Sequence, residues 1–119
     1  MRIGQWHWRR YCRWAFAVCL VVVIALALAP PQVPTPTTGW DKANHALTFA
    51  ALALLGFASY PQRKSAVLAA LLAYGGGIEL LQGLTDYRTA EWLDWAADAV
   101  GLALGAVLMR LSPRRRHND

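Results

Sequence analysis

Apolar residues along this chain gather into four stretches, at about 14–29, 41–60, 66–84 and 91–111, separated by short or proline-rich breaks. The pattern predicts an all-α fold of four helices. The first run would measure about 24 Å at 1.5 Å per residue, a little short of a bilayer core of roughly 30 Å. Tyr11, Cys12 and a snorkelling Arg13 complete the span. A basic start, an apolar run and Ala27-Leu28-Ala29 also resemble a signal peptide. The run is long for one, and Pro30 and Pro31 stand where the cut would fall, which favours an uncleaved anchor. Residues 30–40, PPQVPTPTTGW, hold four prolines and read as an exposed, extended connection ending at Trp40, an interface marker. The second stretch opens on Asp41, Lys42 and His45 before turning apolar. A carboxylate in its first turn complements the helix dipole, and His45 follows one turn on along the same face. The link at 61–65, PQRKS, makes a tight helical hairpin. Residues 85–90, TDYRTA, join the third and fourth stretches, and 112–119 form a polar, frayed tail.

Composition changes the class of protein. With 119 residues, 56% hydrophobic and 16% charged, the chain is one domain too apolar for an ordinary soluble protein of its size. The expectation is a four-helix transmembrane bundle over 14–111, preceded by a basic N-terminal segment at 1–13. The net charge of +5 sits beside apolar runs, not on a soluble stripe, so it reads as a topology signal and not as a nucleic-acid surface. The N-terminus, the 61–65 link and the C-terminal end hold ten Lys and Arg; the other side holds Lys42 and Arg88. By the positive-inside rule both termini are cytoplasmic. Trp6, Trp8, Trp14, Trp92 and Trp95 read as interface anchors, and Arg9-Arg10 and 114–116 as contacts to anionic lipid. Cys12 and Cys19 fall just before and within the first run, which argues against a disulfide framework and a Cys-based metal site.

The acidic residues show the reverse bias, since Asp41, Glu79, Asp86, Glu91, Asp94 and Asp98 all fall toward the outer side. Ionisable groups inside a membrane cost roughly 2.5 to 3.5 kcal/mol each at the centre, so several in one short chain call for a shared explanation. At about 100° per residue, Asp94, Asp98, Gly101 and Gly105 form one stripe within roughly 60° of arc. Gly101 and Gly105 make a G-x-x-x-G pair that lets helices approach closely, which carries both aspartates inward. Glu79 and Gln82 are neighbours above Gly75-Gly76-Gly77, read as helix-packing glycines. Glu79 and Asp98 lie at similar depth, about 7 to 11 Å below the outer helix ends. One polar pocket is expected from Asp41, Lys42, His45, Glu79, Gln82, Arg88, Glu91, Asp94 and Asp98. So many carboxylates together require that some hold protons or that a cation sits among them. Glu, Asp and His could ligate a metal, but the sequence has no compact motif such as H-E-x-x-H, so no metal ligand and no cofactor is assigned. No Walker loop or G-x-S-x-G elbow is present either.

These residues resemble the VanZ-like family, small integral membrane proteins named after a protein associated with teicoplanin resistance. Its first signature, D-K-x-x-H followed by an aromatic, is matched by Asp41, Lys42, His45 and Phe49. Its second, E-x-x-Q followed by R-x-x-[D/E]-x-x-D-x-x-x-N-x-x-G-x-x-x-G, is matched by Glu79, Gln82, Arg88, Glu91, Asp94, Gly101 and Gly105. The departure is Asp98, where asparagine is common. The resemblance covers about 39–108 and implies a four-helix membrane domain with a role in the cell envelope.

Three function classes fit the pocket. The first is a non-enzymatic envelope protein that binds the headgroup of a membrane lipid or a lipid-linked cell-wall precursor. Lys42 and Arg88 would meet its anionic part; Glu79, Asp94 and Asp98 would meet its ammonium, hydroxyls or a bridging cation. The second is a membrane-embedded hydrolase or transferase with Glu79 or Asp94 as general base and His45 as acid or metal ligand. The third is proton-coupled transport, for which four short helices are narrow unless copies associate into a homo-oligomer. The orientation has its own test. Cysteines placed at Thr37 and Thr85 are expected to react with an impermeant thiol reagent on intact cells while one at Ser65 stays protected, and reversed labelling would overturn it.

Overall fold

The computed structural model describes residues 3–30, 41–87 and 90–112. Most of the proline-rich connection including Trp40, the loop position of Arg88, and the basic tail from 113 lie outside the described residues. Four helices account for most of the rest: α1 (Ile3–Ala27), α2 (Asp41–Ser59), α3 (Lys64–Gly83) and α4 (Trp92–Leu111). The last three match the expected bounds to within two residues. α1 differs, because it starts at Ile3 and takes in the basic segment expected to precede the membrane domain. Arginine is a good helix former, and extending an existing helix gains one hydrogen bond per residue fixed.

Three helices are long and apolar enough to cross a membrane, namely α1 over Trp6–Ala27, α3 and α4. α2 is not among them. Its first turns spend Asp41, Lys42, Asn44 and His45 on polar positions, which lowers its mean hydropathy although its second half is apolar. Yet α2 touches all three other helices, as α3 does, and its contact with α4 is the most extensive in the bundle.

Small residues explain that contact. A Cβ at Gly101 would fall on the carbonyl of Ala46, and one at Gly105 would lie 2.8 Å from the Ala53 methyl and 3.0 Å from the Ala50 oxygen. Ala46, Ala50 and Ala53 recur at helical spacing, so α2 offers a smooth ridge to the glycine stripe of α4. Below it, Phe49, Leu52, Phe57, Leu71 and Leu102 close a buried core. Large apolar side chains such as Val21, Leu80, Leu104 and Val107 face outward instead. A surface of that kind suits hydrocarbon better than water.

Hydrogen bonds across helices fix the rest. Arg13 Nε donates to the Ser59 carbonyl at 3.1 Å, and its guanidinium lies 4.6 Å from the Tyr60 ring centroid. A cation thus meets the carbonyl end of α2. Tyr74 donates its hydroxyl to the Leu20 carbonyl, tying α3 to α1. The helices alternate in direction, so Arg9, Arg10, Arg13, Arg63, Lys64 and Arg110 belong to one end of the bundle. Asp41, Glu79, Asp86, Glu91, Asp94 and Asp98 belong to the other half.

Candidate functional site

The polar beginning of α2 lies against the acidic beginning of α4. Because Gly101 brings the two backbones together one turn below, His45 and Asp98 meet: His45 Nδ1 lies 2.8 Å from Asp98 Oδ1. The other ring nitrogen, Nε2, faces Asp94 Oδ2 at 3.6 Å and Asp41 Oδ2 at 3.9 Å. One imidazole is therefore placed between an inner and an outer set of carboxylates. Asp98 is only 1% exposed, and Glu79 and Asp94 are buried too.

Gly75 makes the space for Asp98. A methyl there would lie 2.6 Å from Asp98 Oδ2 and 3.1 Å from the Phe49 ring. This agrees at Gly75 with the packing role expected of the glycine run, whereas a Cβ at Gly76 would make only ordinary contact with Trp95, 3.4 Å from its Nε1. Gly77 faces open space and has no such role.

Lys42 joins the outer carboxylates. Its ammonium donates to Glu91 Oε2 at 2.8 Å and to Asp94 Oδ1, with Asp41 Oδ2 at 3.6 Å. The expectation that Lys42 meets the anionic part of a ligand has to contend with this arrangement, in which the protein's own carboxylates already surround it. Burying a carboxylate without a partner is costly, so Lys42 is what makes a buried Asp94 tolerable.

Glu79 reaches the same place from α3. Its Oε2 accepts the backbone N–H of Glu91 at 3.1 Å, the residue that caps the start of α4. In a capping box a glutamate of the same helix fills this role; here a neighbouring helix supplies the carboxylate. The other oxygen, Oε1, is buried and has no hydrogen-bond partner among the described residues.

Gln82 is turned to a structural purpose, because its side-chain NH2 donates to the Ala27 carbonyl at 2.8 Å. Tyr87 does the same for the Leu28 carbonyl at 2.7 Å. Carbonyls at a helix C-terminus lack partners within the helix, and these two residues close the end of α1. Of the nine residues expected in the pocket, the structure thus brings eight to one half of the bundle. Arg88 lies outside the described residues.

Beside the cluster is a cavity of about 180 Å³. Asp41, Asn44, His45, Thr48, Gln82 and Asp98 form its polar wall, while Val23, Leu26 and Ile78 form an apolar one. Asn44 and Thr48 were not singled out by the sequence reading. The signal was present: Asp41, Asn44, His45 and Thr48 fall at i, i+3, i+4 and i+7, the spacing that picks out one face of a helix.

Two groups of three side chains have ligand atoms within 4.8 Å of one another: Asp41, His45 and Asp94, and His45, Glu79 and Asp98. The sequence reading assigned no metal ligands because no compact motif is present; the fold brings such donors together from three helices.

Replacing Lys42 by methionine is expected to lower the apparent Tm in detergent, because Asp94 loses its ammonium partner. Adding Asp94→Asn to that variant should recover part of the loss. Equal melting of wild type and Lys42→Met would contradict the role given to the pair.

Comparison with protein-family models, with curated proteins and with solved structures found no match to this chain.

Proposed function

We propose that this chain is a multi-pass protein of the bacterial cytoplasmic membrane, VanZ-like in kind, whose pocket binds the polar headgroup of a lipid or a lipid-linked cell-wall precursor. In this reading α2 is the fourth span, both termini are cytoplasmic, and the pocket opens away from the cytoplasm. The segregation of basic and acidic residues to opposite halves of the bundle supports that orientation through the positive-inside rule.

The observation that carries the reading is the two-faced cavity. One wall offers carboxylates, an imidazole and an amide; the other offers Val23, Leu26 and Ile78. A molecule with a polar head and an apolar body matches both walls at once. At about 180 Å³ the cavity is smaller than the roughly 300 to 1,000 Å³ of sites that enclose a whole small molecule. It fits a headgroup whose acyl part stays in the bilayer. With Lys42 already held by protein carboxylates, the acidic wall favours the ammonium or hydroxyl groups of such a headgroup, or a cation bridging to its phosphate.

A second reading, a membrane-embedded hydrolase or transferase, draws on the contact between His45 and Asp98. A buried carboxylate that orients an imidazole is a familiar arrangement for proton transfer, and Glu79 and Asp94 stand ready as bases. Turnover separates the two readings.

Native mass spectrometry of the purified chain is expected to show one co-purifying lipid species in excess of its share of the membrane. Filling the cavity with Ala27→Phe should abolish that retention, and Asp41→Asn should reduce it in part. Equal retention by wild type and Ala27→Phe would overturn the pocket as a lipid site. Conversion of the bound species, lost in Glu79→Gln or Asp94→Asn while binding persists, would establish the enzyme.

A further inference from the structure

We infer that His45, Glu79 and Asp98 form a binding site for a single divalent transition-metal cation, beside the cavity whose wall His45 and Asp98 also line. Their ligand atoms come from α2, α3 and α4 and lie within 4.8 Å of one another. Around an ion with bonds of about 2.0 to 2.2 Å, neighbouring ligands stand about 3 to 3.5 Å apart. Closing the trio onto an ion therefore takes side-chain movements of about an ångström and no shift of the helices. His45 Nδ1 and Asp98 Oδ1, already 2.8 Å apart, need little movement at all.

A group of acidic residues would not carry this inference by itself. The second observation is Glu79, whose residue is 6% exposed and whose Oε1 is buried with no hydrogen-bond partner among the described residues. An orphaned carboxylate oxygen is costly, and its counterpart Oε2 is taken by the Glu91 N–H. Oε1 is the atom left to ligate.

Charge points the same way. Lys42 pairs with the outer carboxylates Glu91 and Asp94, which leaves His45 as the basic side chain beside Asp98 and no basic side chain paired with Glu79 among the described residues. A dication offsets both carboxylates and lets His45 bind as neutral imidazole. With Nδ1 on the ion, the ring proton resides on Nε2, which faces Asp94 and Asp41. A carboxylate behind the remote nitrogen of a metal-bound histidine fixes its tautomer and orientation. The competing outer trio of Asp41, His45 and Asp94 lacks this logic, because Asp94 is already committed to Lys42 and Asp41 is exposed. One nitrogen with carboxylate oxygens is a donor set for Zn²⁺, Mn²⁺ or Fe²⁺ in preference to Mg²⁺ or Cu⁺.

The test uses the untagged full chain in detergent, stripped with chelator and titrated with Zn²⁺ and, separately, Mn²⁺. Bound metal is counted after gel filtration, and affinity is read by calorimetry. The expected result is one ion per wild-type chain, with affinity weakened at least about 100-fold in Glu79→Gln and in His45→Gln. Asp41→Asn, which changes only a group behind the remote nitrogen of the imidazole, should weaken binding by about tenfold, clearly less than either ligand variant. Should Glu79→Gln fail to elute as a folded species, the wild-type stoichiometry and His45→Gln decide. No stoichiometric binding by wild type, or unchanged affinity in His45→Gln, overturns the site. Asp41→Asn weakening binding as much as His45→Gln would also overturn it, by moving the ion to the outer trio. The readout is bound metal whatever lipid co-purifies, so its outcome is separate from that of the headgroup reading.

Discussion

The close approach of α2 and α4 is the constraint on which the structure depends. Gly101 and Gly105 have no side chain to hold the helices apart, and Ala46, Ala50 and Ala53 present almost none. In the membrane setting proposed above there is little hydrophobic force between helices, so contact distance and polar pairing would carry the association. Both are met along the same stripe. The glycines permit the approach, and one turn above them Asp98 and His45 use it. Widening the helix pair by one methyl would cost packing and separate the two polar groups together.

That geometry accounts for how so many ionisable residues are accommodated in a small apolar bundle. They are arranged in layers. Lys42 gathers Glu91 and Asp94 near the open end, His45 lies between Asp94 and Asp98, and Glu79 closes the group from α3 by accepting the Glu91 N–H. Gly75 leaves room for the deepest carboxylate. Among the buried side-chain polar atoms of the described residues only Glu79 Oε1 is left without a hydrogen-bond partner, and it belongs to the part of the cluster without a lysine. The opposite end is built differently, with Arg13 meeting the end of α2 and the remaining basic residues spread over three helices.

Much of this was legible in the sequence because it depends on periodicity. Helical spacing placed Asp94, Asp98, Gly101 and Gly105 on one inward stripe, and the structure finds all four buried. Depth counting put Glu79 level with Asp98, and both contribute to one group of ligand atoms. What spacing cannot reveal is which partner a side chain chooses once helices meet. Gln82 lines the cavity, as a pocket residue would, and its amide also closes α1, because the carbonyls at that helix end lacked donors. Lys42 looked free for a ligand, but three carboxylates from two helices surround it. The extent of α1 was missed for another reason: a change in polarity marks where an apolar face ends and does not mark where a helix ends. α2 shows the converse, since its polar turns leave it short of the hydropathy of a membrane span although it is the most fully surrounded helix.

The central claim is that α2 and α4 place His45 and Asp98 in direct contact, and a double-mutant cycle reads that contact most directly. Unfolding free energies would be measured in detergent for wild type, His45→Gln, Asp98→Asn and the double variant. The account predicts that the two changes are not additive, with a coupling above about 0.5 kcal/mol. Additivity within about 0.3 kcal/mol would mean that the two residues do not touch, and the convergence of the polar groups on one site would fall with it.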